Sequence, residues 1–220
     1  MKKQLLFVAL LSVFSVQQLQ AQVKYGFKGG LNLGKFLYGR QYSDDEKGSG
    51  SNLPRFNAGI KVEIPLNDDD DWFLYTGPCY SGKGNRVRAH YPTYNFDTIT
   101  TWLNYIELPL SVGYKFPEGS DKRITAAAGI YAAYGFNGRV VTRNSPERTL
   151  RHLHRKENPY KRIETGFSVS AMLEINNQYG ISVDYARSVF DISRREWKEY
   201  NNVLGFSFFW YLPGSKKRND

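Results

Sequence analysis

The chain has 220 residues, and 30 Lys and Arg against 21 Asp and Glu give it a formal net charge of +9 at pH 7. This length suits a single domain, and the only cysteine, Cys79, excludes an intramolecular disulfide bond. No apolar run after residue 21 reaches the length of about 18 residues that indicates a transmembrane helix, so a helical membrane protein is excluded.

Residues 1–21 have the pattern of a secretory signal peptide. Two lysines follow the first Met, residues 5–16 are mostly apolar, and the small Ala21 stands at the expected cleavage position. We expect the mature chain to begin at Gln22. An uncleaved anchor is the alternative, although the apolar run is shorter than the ~20 residues that a membrane span needs.

The rest of the chain predicts eight β-strands joined by connections that are alternately long and short. In chain order the predicted strands are 23–33, 55–64, 72–83, 99–115, 124–141, 161–175, 179–189 and 200–212. The first, third, fifth and seventh connections are long, and the others are short. Long loops at one end and short turns at the other are typical of a transmembrane β-barrel.

Apolar and polar side chains alternate along these strands. In the fourth strand Leu108 and Leu110 share one face, whereas Glu107 and Ser111 share the other. A soluble sandwich or lipocalin-like barrel would give the same period of two, but here the apolar faces carry no charge in the strand middles. The polar faces carry charges of both signs, which favours lipid outside and a polar interior.

Aromatic residues near the strand ends predict two girdles at the membrane interfaces. The girdle at the short-turn end comprises Tyr25, Trp72, Phe73, Tyr114, Tyr179, Trp210 and Tyr211, and the girdle at the long-loop end comprises Tyr80, Trp102, Tyr134, Phe136 and Tyr185. We therefore predict that residues 22–220 form an all-β, eight-stranded antiparallel up-and-down transmembrane β-barrel in the outer membrane, with both termini in the periplasm.

Four stretches resemble one known family. Residues 25–33 (YGFKGGLNL) resemble the opening strand of the PorT-like outer-membrane β-barrels, residues 80–84 (YSGKG) the third strand, and residues 105–110 (YIELPL) with 113–115 (GYK) the fourth. The resemblance covers the whole mature chain and implies a small surface barrel of the Gram-negative cell envelope. It also implies an acidic residue where Gly77 stands. The founding member of the family is an accessory of a protein secretion system.

An eight-stranded barrel holds side chains in its interior but no aqueous channel. We expect the inward charges to form a structural polar network that neutralises itself and plugs the lumen. Its predicted members are Lys28, Lys61, Glu63, Lys83, Glu107, Glu174 and Asp184. A proton relay or a site for a small polar ligand is the alternative interpretation.

The fifth connection is strongly basic. From residue 143 to residue 162 seven Lys and Arg accompany only Glu147 and Glu157. The candidate residues for binding an anion or a partner are Arg148, Arg151, Arg155 and Lys156. They would attract lipopolysaccharide phosphates or an acidic protein, and a solvated loop without a ligand is the alternative. Nucleic acid is not expected, because these loops should face outside the cell.

Catalytic and metal-binding signals are weak. The histidines are His90, His152 and His154, and no further ligands accompany the last two as a metal site requires. Ser81 with His90, or Ser145 with His152, could form the Ser–His pair of a lipid-A-modifying enzyme. The sequence nevertheless predicts no catalytic site, no metal and no cofactor.

These patterns predict a non-enzymatic outer-membrane barrel with a plugged lumen that presents long cell-surface loops for interaction. Two alternatives remain open, an accessory component of a secretion system and a lipid-A-modifying enzyme. The expected contacts are outer-membrane lipids, lipopolysaccharide phosphates, and a protein partner at the surface loops or the periplasmic face.

Overall fold

The computed structural model describes residues 23–39, 49–91, 94–116, 121–142, 148–150, 159–196 and 198–213. Within these ranges eleven strands form one antiparallel sheet. They are β1 (Lys24–Tyr38), β2 (Ser49–Ser51), β3 (Leu53–Pro65), β4 (Trp72–Thr76), β5 (Cys79–Tyr91), β6 (Tyr94–Phe116), β7 (Lys122–Thr142), β8 (Arg148–Leu150), β9 (Ile163–Ile175), β10 (Tyr179–Ser188) and β11 (Glu199–Tyr211). None of the described residues belongs to a helix long and apolar enough to cross a membrane.

The sheet closes on itself because β1 pairs with β3 on one side and with β11 on the other. Around the barrel, β3 pairs with β4 and β5, these pair with β6, and the order continues through β7, β9, β10 and β11. The short strands β2 and β8 add to β5 and β7 at the long-loop end. Because β4 and β5 together make one wall element, the prediction of an eight-stranded antiparallel up-and-down barrel is confirmed.

The third predicted strand, 72–83, is interrupted between β4 and β5. Gly77 has a φ of +132°, and a Cβ at this position would lie 2.3 Å from the carbonyl oxygen of Ile60. The register is the same on both sides of the break, since Val62 pairs with Thr76 and Gly59 with Cys79. An acidic residue at position 77, which the family resemblance implies, would clash with the neighbouring strand here.

The predicted long loop between residues 83 and 99 is wrong, because the strands continue through most of it. β5 extends to Tyr91 and β6 begins at Tyr94, with paired residues from Asn85–Thr101 to Ala89–Asp97. The stretch Thr98–Thr101 is wholly β-branched, which favours an extended ladder whose backbone groups are paired with each other. The barrel therefore carries a β-ribbon at its long-loop end.

The predicted facing of the side chains is confirmed in the strand middles. On β11 Phe206 is 46 % exposed on the outside, and the next residue, Ser207, is 6 % exposed in the lumen. Two predicted girdle residues, Phe73 and Tyr211, instead lie buried inside the barrel. Phe73 fills the space beside Gly113, where a Cβ would lie 2.1 Å from its ring, and Tyr211 continues the inward set of β11.

Candidate functional site

The lumen holds a group of charges centred on Lys83 of β5. Its ammonium lies 2.7 Å from the Glu107 carboxylate and 2.9 Å from that of Glu164. Glu164 also accepts hydrogen bonds from the Tyr131 hydroxyl and the Asn201 amide, both at 2.6 Å. Since all of these side chains point inward from the wall, one buried cation holds two carboxylates together.

A second ion pair joins Lys28 of β1 to Asp184 of β10 at 2.7 Å. The hydroxyls of Ser170 and Ser182 donate to the same carboxylate at 2.6 Å and 2.9 Å. The charge of Asp184 is therefore balanced by one cation and solvated by two hydroxyl groups that take the place of water.

A layer of neutral polar side chains lies beside this ion pair. The Asn57 amide donates to the Asn32 oxygen at 2.8 Å, and the Asn32 amide donates to the Ser81 hydroxyl at 3.2 Å. The Ser207 hydroxyl donates to the Asn57 oxygen at 3.1 Å. These bonds link β11, β1, β3 and β5, which are consecutive in the barrel, so they tie one side of the wall together on its inner face.

The third group of charges closes the short-turn end. Lys115 lies 2.6 Å from Glu63 and 2.9 Å from Asp70. Lys24 lies 3.6 Å from Glu63, 3.4 Å from Glu174 and 3.6 Å from Asp70. Asp70 comes from the turn between β3 and β4 and has a φ of +57°. The turn therefore folds an acidic side chain back over the end of the barrel.

Lys61, a predicted member of the ion-paired network, is surrounded differently. It lies in the lumen, but none of the carboxylates in the described part of the chain forms an ion pair with it. Its ammonium lies 3.8 Å from the ring centre of Phe209 and 5.0 Å from that of Tyr211. It also donates to the Met172 sulfur at 3.1 Å. Cation–π attraction replaces the expected carboxylate at this position.

Sequence reasoning missed Lys115 and Glu164 as network members. Both follow the period of two, because Lys115 is eight positions after Glu107 on β6 and Glu164 is ten positions before Glu174 on β9. Extending the inward set to the ends of the predicted strands would have identified them.

Apolar and aromatic side chains fill the part of the lumen that the charged side chains do not occupy. At the long-loop end the buried cluster comprises Phe36, Leu103, Tyr105, Tyr131, Ala133, Tyr160 and Ile192, and at the short-turn end it comprises Phe73, Tyr75, Ala127, Met172, Phe209 and Tyr211. Between them lies a polar cavity of about 60 Å³ beside Lys28, Cys79 and Glu107. This volume suits a few water molecules and is far below that of an open channel.

The mouth of the barrel at the long-loop end is tied down by Asp191, which follows β10. Its carboxylate accepts the backbone N–H groups of Ser193 and Glu199, both at 2.9 Å, and the Lys161 ammonium at 3.0 Å. Burial alone would raise the pKa of Asp191, but these donors outweigh it and hold the pKa below its usual value. Lys161 belongs to the basic segment, residues 143–162, so the end of this segment is fastened to the loop between β10 and β11.

The predicted catalytic pairs receive no support from the described residues. Ser81 and His90 lie on the same extended strand, so about 30 Å of chain separates them. Ser145 and His152 lie outside the described residues. Within the ranges that the structure covers, no cluster of His, Cys, Asp and Glu could hold a metal ion.

The basic candidates are mostly outside the described residues as well. Arg148 begins β8, which pairs with β7, but its side chain is among those the structure does not describe. Arg151, Arg155 and Lys156 lie outside the described residues altogether.

A closed antiparallel barrel with an apolar outer surface and a filled polar lumen is a transmembrane β-barrel. Residues 17–194 match the family described as the outer membrane protein beta-barrel domain. The chain therefore belongs to this family of outer-membrane β-barrel proteins, and its location is the outer membrane. No curated protein matches the sequence.

Solved structures with a similar fold are distant in sequence. Neisserial surface protein A, NspA, is 11 % identical with a TM-score of 0.46, over 86 % of this chain and 97 % of that one. OprG from Pseudomonas aeruginosa is 10 % identical with a TM-score of 0.45, over 86 % and 96 %. The outer membrane enzyme PagL is 7 % identical with a TM-score of 0.30, over 86 % and 99 %. At these identities the likeness concerns the fold alone.

Proposed function

We propose that this protein is a non-enzymatic outer-membrane barrel with a plugged lumen, which presents its long loops at the cell surface for interaction. The observation that carries the proposal is the lumen itself. Charged side chains held by Lys83, Lys28 and Lys115, and an aromatic cluster at each end, occupy the space that a transporter would leave open. The part of the molecule left for interaction is the long-loop end.

The orientation belongs to the same proposal. A cleaved signal peptide, 1–21, would export the chain. The start of β1 and the end of β11 lie at the short-turn end, so both termini would face the periplasm. The long-loop end, with the β5–β6 ribbon and the β7–β8 pair, would then stand on the outer leaflet, as long loops do in other outer-membrane barrels.

The wild-type protein is expected to leave a planar bilayer impermeable to ions. Charge-paired side chains and buried aromatic rings fill the described part of the lumen, so we expect no continuous water path across it. Single-channel recording after insertion measures this directly. Insertion is checked by gel mobility, since a closed barrel resists detergent until it is heated and then migrates differently. Discrete, reproducible conductance steps in the inserted wild type would refute the plugged lumen.

The surface interaction is proposed to involve the basic segment. Replacing Arg148, Arg151, Arg155 and Lys156 with Ser should weaken binding to intact lipopolysaccharide, because its phosphates lose their cations. Binding to the wild type should also fall as salt rises, since the Debye length is only about 8 Å at physiological ionic strength. Solid-phase binding of purified protein measures both effects.

The matched control for that variant is Lys122→Ser, which removes an exposed cation at the opposite end of the barrel. It should leave lipopolysaccharide binding unchanged. If the four-residue variant binds as well as this control, the basic segment is only a solvated loop and the proposed role in binding is wrong.

The second candidate is an accessory of a protein secretion system, which the PorT-like resemblance favours. The stretches YIELPL and YSGKG carry that resemblance, and Glu107 and Lys83 within them form an ion pair at 2.7 Å. Crosslinking in native membranes would identify envelope machinery as the partner if this candidate is right. The surface-loop proposal predicts lipid and extracellular contacts instead.

A further inference from the structure

The outer wall of the barrel carries an apolar groove across β6, β7 and β9. It has a volume of about 460 Å³, which is the size of a small-molecule site. Its apolar lining comprises Leu108, Leu110, Ile130, Ala132, Val189 and Phe190. The groove exists because Ala132 on β7 and Thr165 on β9 are small, face outward and pair with each other. The outer surface is therefore lower at this pair than at the larger side chains on either side.

One wall of the groove comes from the segment that follows β10. The Val189 N–H donates to the Thr165 carbonyl at 3.0 Å, which continues the β9–β10 ladder by one residue and places this segment beside β9 in the barrel wall. Phe190 is 69 % exposed there. An apolar cover such as an acyl chain would stabilise this outward aromatic side chain beside the groove.

A cation stands immediately above the groove. Arg162 precedes β9, and its carbonyl accepts the Gly135 N–H at 2.7 Å, which fixes its backbone against β7. Its guanidinium lies 3.7 Å from the ring centre of Tyr134. Its Nε is buried without a hydrogen-bond partner, and no carboxylate among the described residues forms an ion pair with it.

The two features are continuous. Tyr134 pairs with Ile163, and the next outward pair along the ladder is Ala132 with Thr165, which belongs to the groove. One such step is about 7 Å. A cation that pairs with no carboxylate among the described residues therefore lies one step above an apolar groove, at the level of the aromatic belt formed by Tyr134 and its neighbours.

We propose that Arg162 and this groove form a binding site for lipid A, the acylated and phosphorylated part of lipopolysaccharide. One phosphate binds the guanidinium, and one acyl chain lies in the groove between Leu108 and Phe190. Arginine supplies several donors in a planar arrangement suited to phosphate oxygens. The inference rests on the proposed function, because it requires the long-loop end to lie at the outer leaflet.

The test measures binding of defined lipids to the full-length protein in detergent by native mass spectrometry. The lipids are bis-phosphorylated lipid A, the same lipid without phosphates, and phosphatidylglycerol. We expect the wild type to prefer bis-phosphorylated lipid A over the other two. Arg162→Ser should weaken that binding about tenfold through loss of a charge-assisted hydrogen bond, and Ala132→Phe should weaken it similarly by filling the groove.

Arg139→Ser is the matched control, since Arg139 also lies over an outward aromatic ring, that of Trp102 at 5.0 Å, but stands seven residues along β7 from Ala132 and therefore far from the groove. It should change binding by less than about twofold. The site is refuted if Arg162→Ser behaves like Arg139→Ser, or if phosphatidylglycerol or dephosphorylated lipid A binds the wild type equally well. Heat-dependent gel mobility verifies that each variant is folded.

The two proposals fail separately in this design. Isolated lipid A lacks the core saccharide phosphates, so the variant of the basic segment should bind it normally even though its binding to intact lipopolysaccharide falls. If only the basic-segment variant loses binding to intact lipopolysaccharide, and the groove variants bind lipid A normally, the surface role is supported and the groove site is refuted. If only Arg162→Ser and Ala132→Phe lose binding to lipid A, and the basic-segment variant binds intact lipopolysaccharide normally, the groove site is supported and the role of the basic segment is refuted.

Discussion

Lys83→Met is expected to lower the free energy of unfolding by about 3–5 kcal/mol, because it leaves buried carboxylates without their cation. Lys83 is 1 % exposed and lies within 2.9 Å of both Glu107 and Glu164. Methionine has nearly the same length, so the packing beside the Tyr131 ring is retained and only the charge is lost. Urea titration of the refolded barrel in lipid vesicles, followed by tryptophan fluorescence, measures the change.

Lys61→Met is the matched control within the same lumen. Lys61 is 2 % exposed but contacts aromatic rings and the Met172 sulfur instead of a carboxylate. Its replacement should lower the free energy of unfolding by no more than about 1–2 kcal/mol, which is the size of a desolvated cation–π contact. The variant also no longer has to bury a charge, and this gain offsets part of the loss. An equal loss from both substitutions would show that general packing, and not charge compensation, explains the effect.

A second substitution separates charge from packing at Lys83 itself. Adding Glu107→Gln to Lys83→Met removes one uncompensated carboxylate, so the double variant should be more stable than Lys83→Met alone. Glu107→Gln in the wild type should destabilise, because Lys83 then keeps only Glu164. Strict additivity of the two changes would mean that the 2.7 Å contact between Lys83 and Glu107 is energetically unimportant.

In the strand middles the sequence was sufficient to predict which side chains face lipid, because a strand has a period of two and only one face of this barrel can be apolar. Phe206 and Ser207 show this on β11, and Leu108 and Ser111 show it on β6. Barrel closure could also be predicted, since an open edge would leave backbone groups unpaired in the membrane.

Which lysine meets which carboxylate could not be predicted. Lys28 on β1 reaches Asp184 on β10 across the whole of β11, and Lys83 reaches Glu164 across the lumen. These contacts depend on the tilt and stagger of the strands around the closed barrel. Spacing within a single strand contains neither quantity, so Lys61 was expected to pair with a carboxylate but lies among aromatic rings.

Local backbone geometry could not be predicted from the sequence either. Gly77 interrupts a strand without changing its register, and a Cβ there would lie 2.3 Å from the carbonyl oxygen of Ile60 on the neighbouring strand. The groove below Arg162 likewise depends on Ala132 and Thr165 being paired across two strands. A small residue in a single apolar strand carries no sign of such a neighbour until the register is known.

Phe206→Arg is expected to cost about 2–4 kcal/mol and to impair assembly of the barrel, since it places a charge near the membrane midplane. Phe206 lies in the middle of β11, and its ladder partners Leu31 and Val183 also face outward, so no polar group is near enough to receive the guanidinium. Folding yield in vesicles and heat-dependent gel mobility measure the loss.

The adjacent Ser207→Ala removes only the hydrogen bond to Asn57 inside the lumen and should cost about 1 kcal/mol. A lumen change as damaging as the arginine would mean that the outer face of β11 does not contact lipid, and the barrel would then have to be a soluble one.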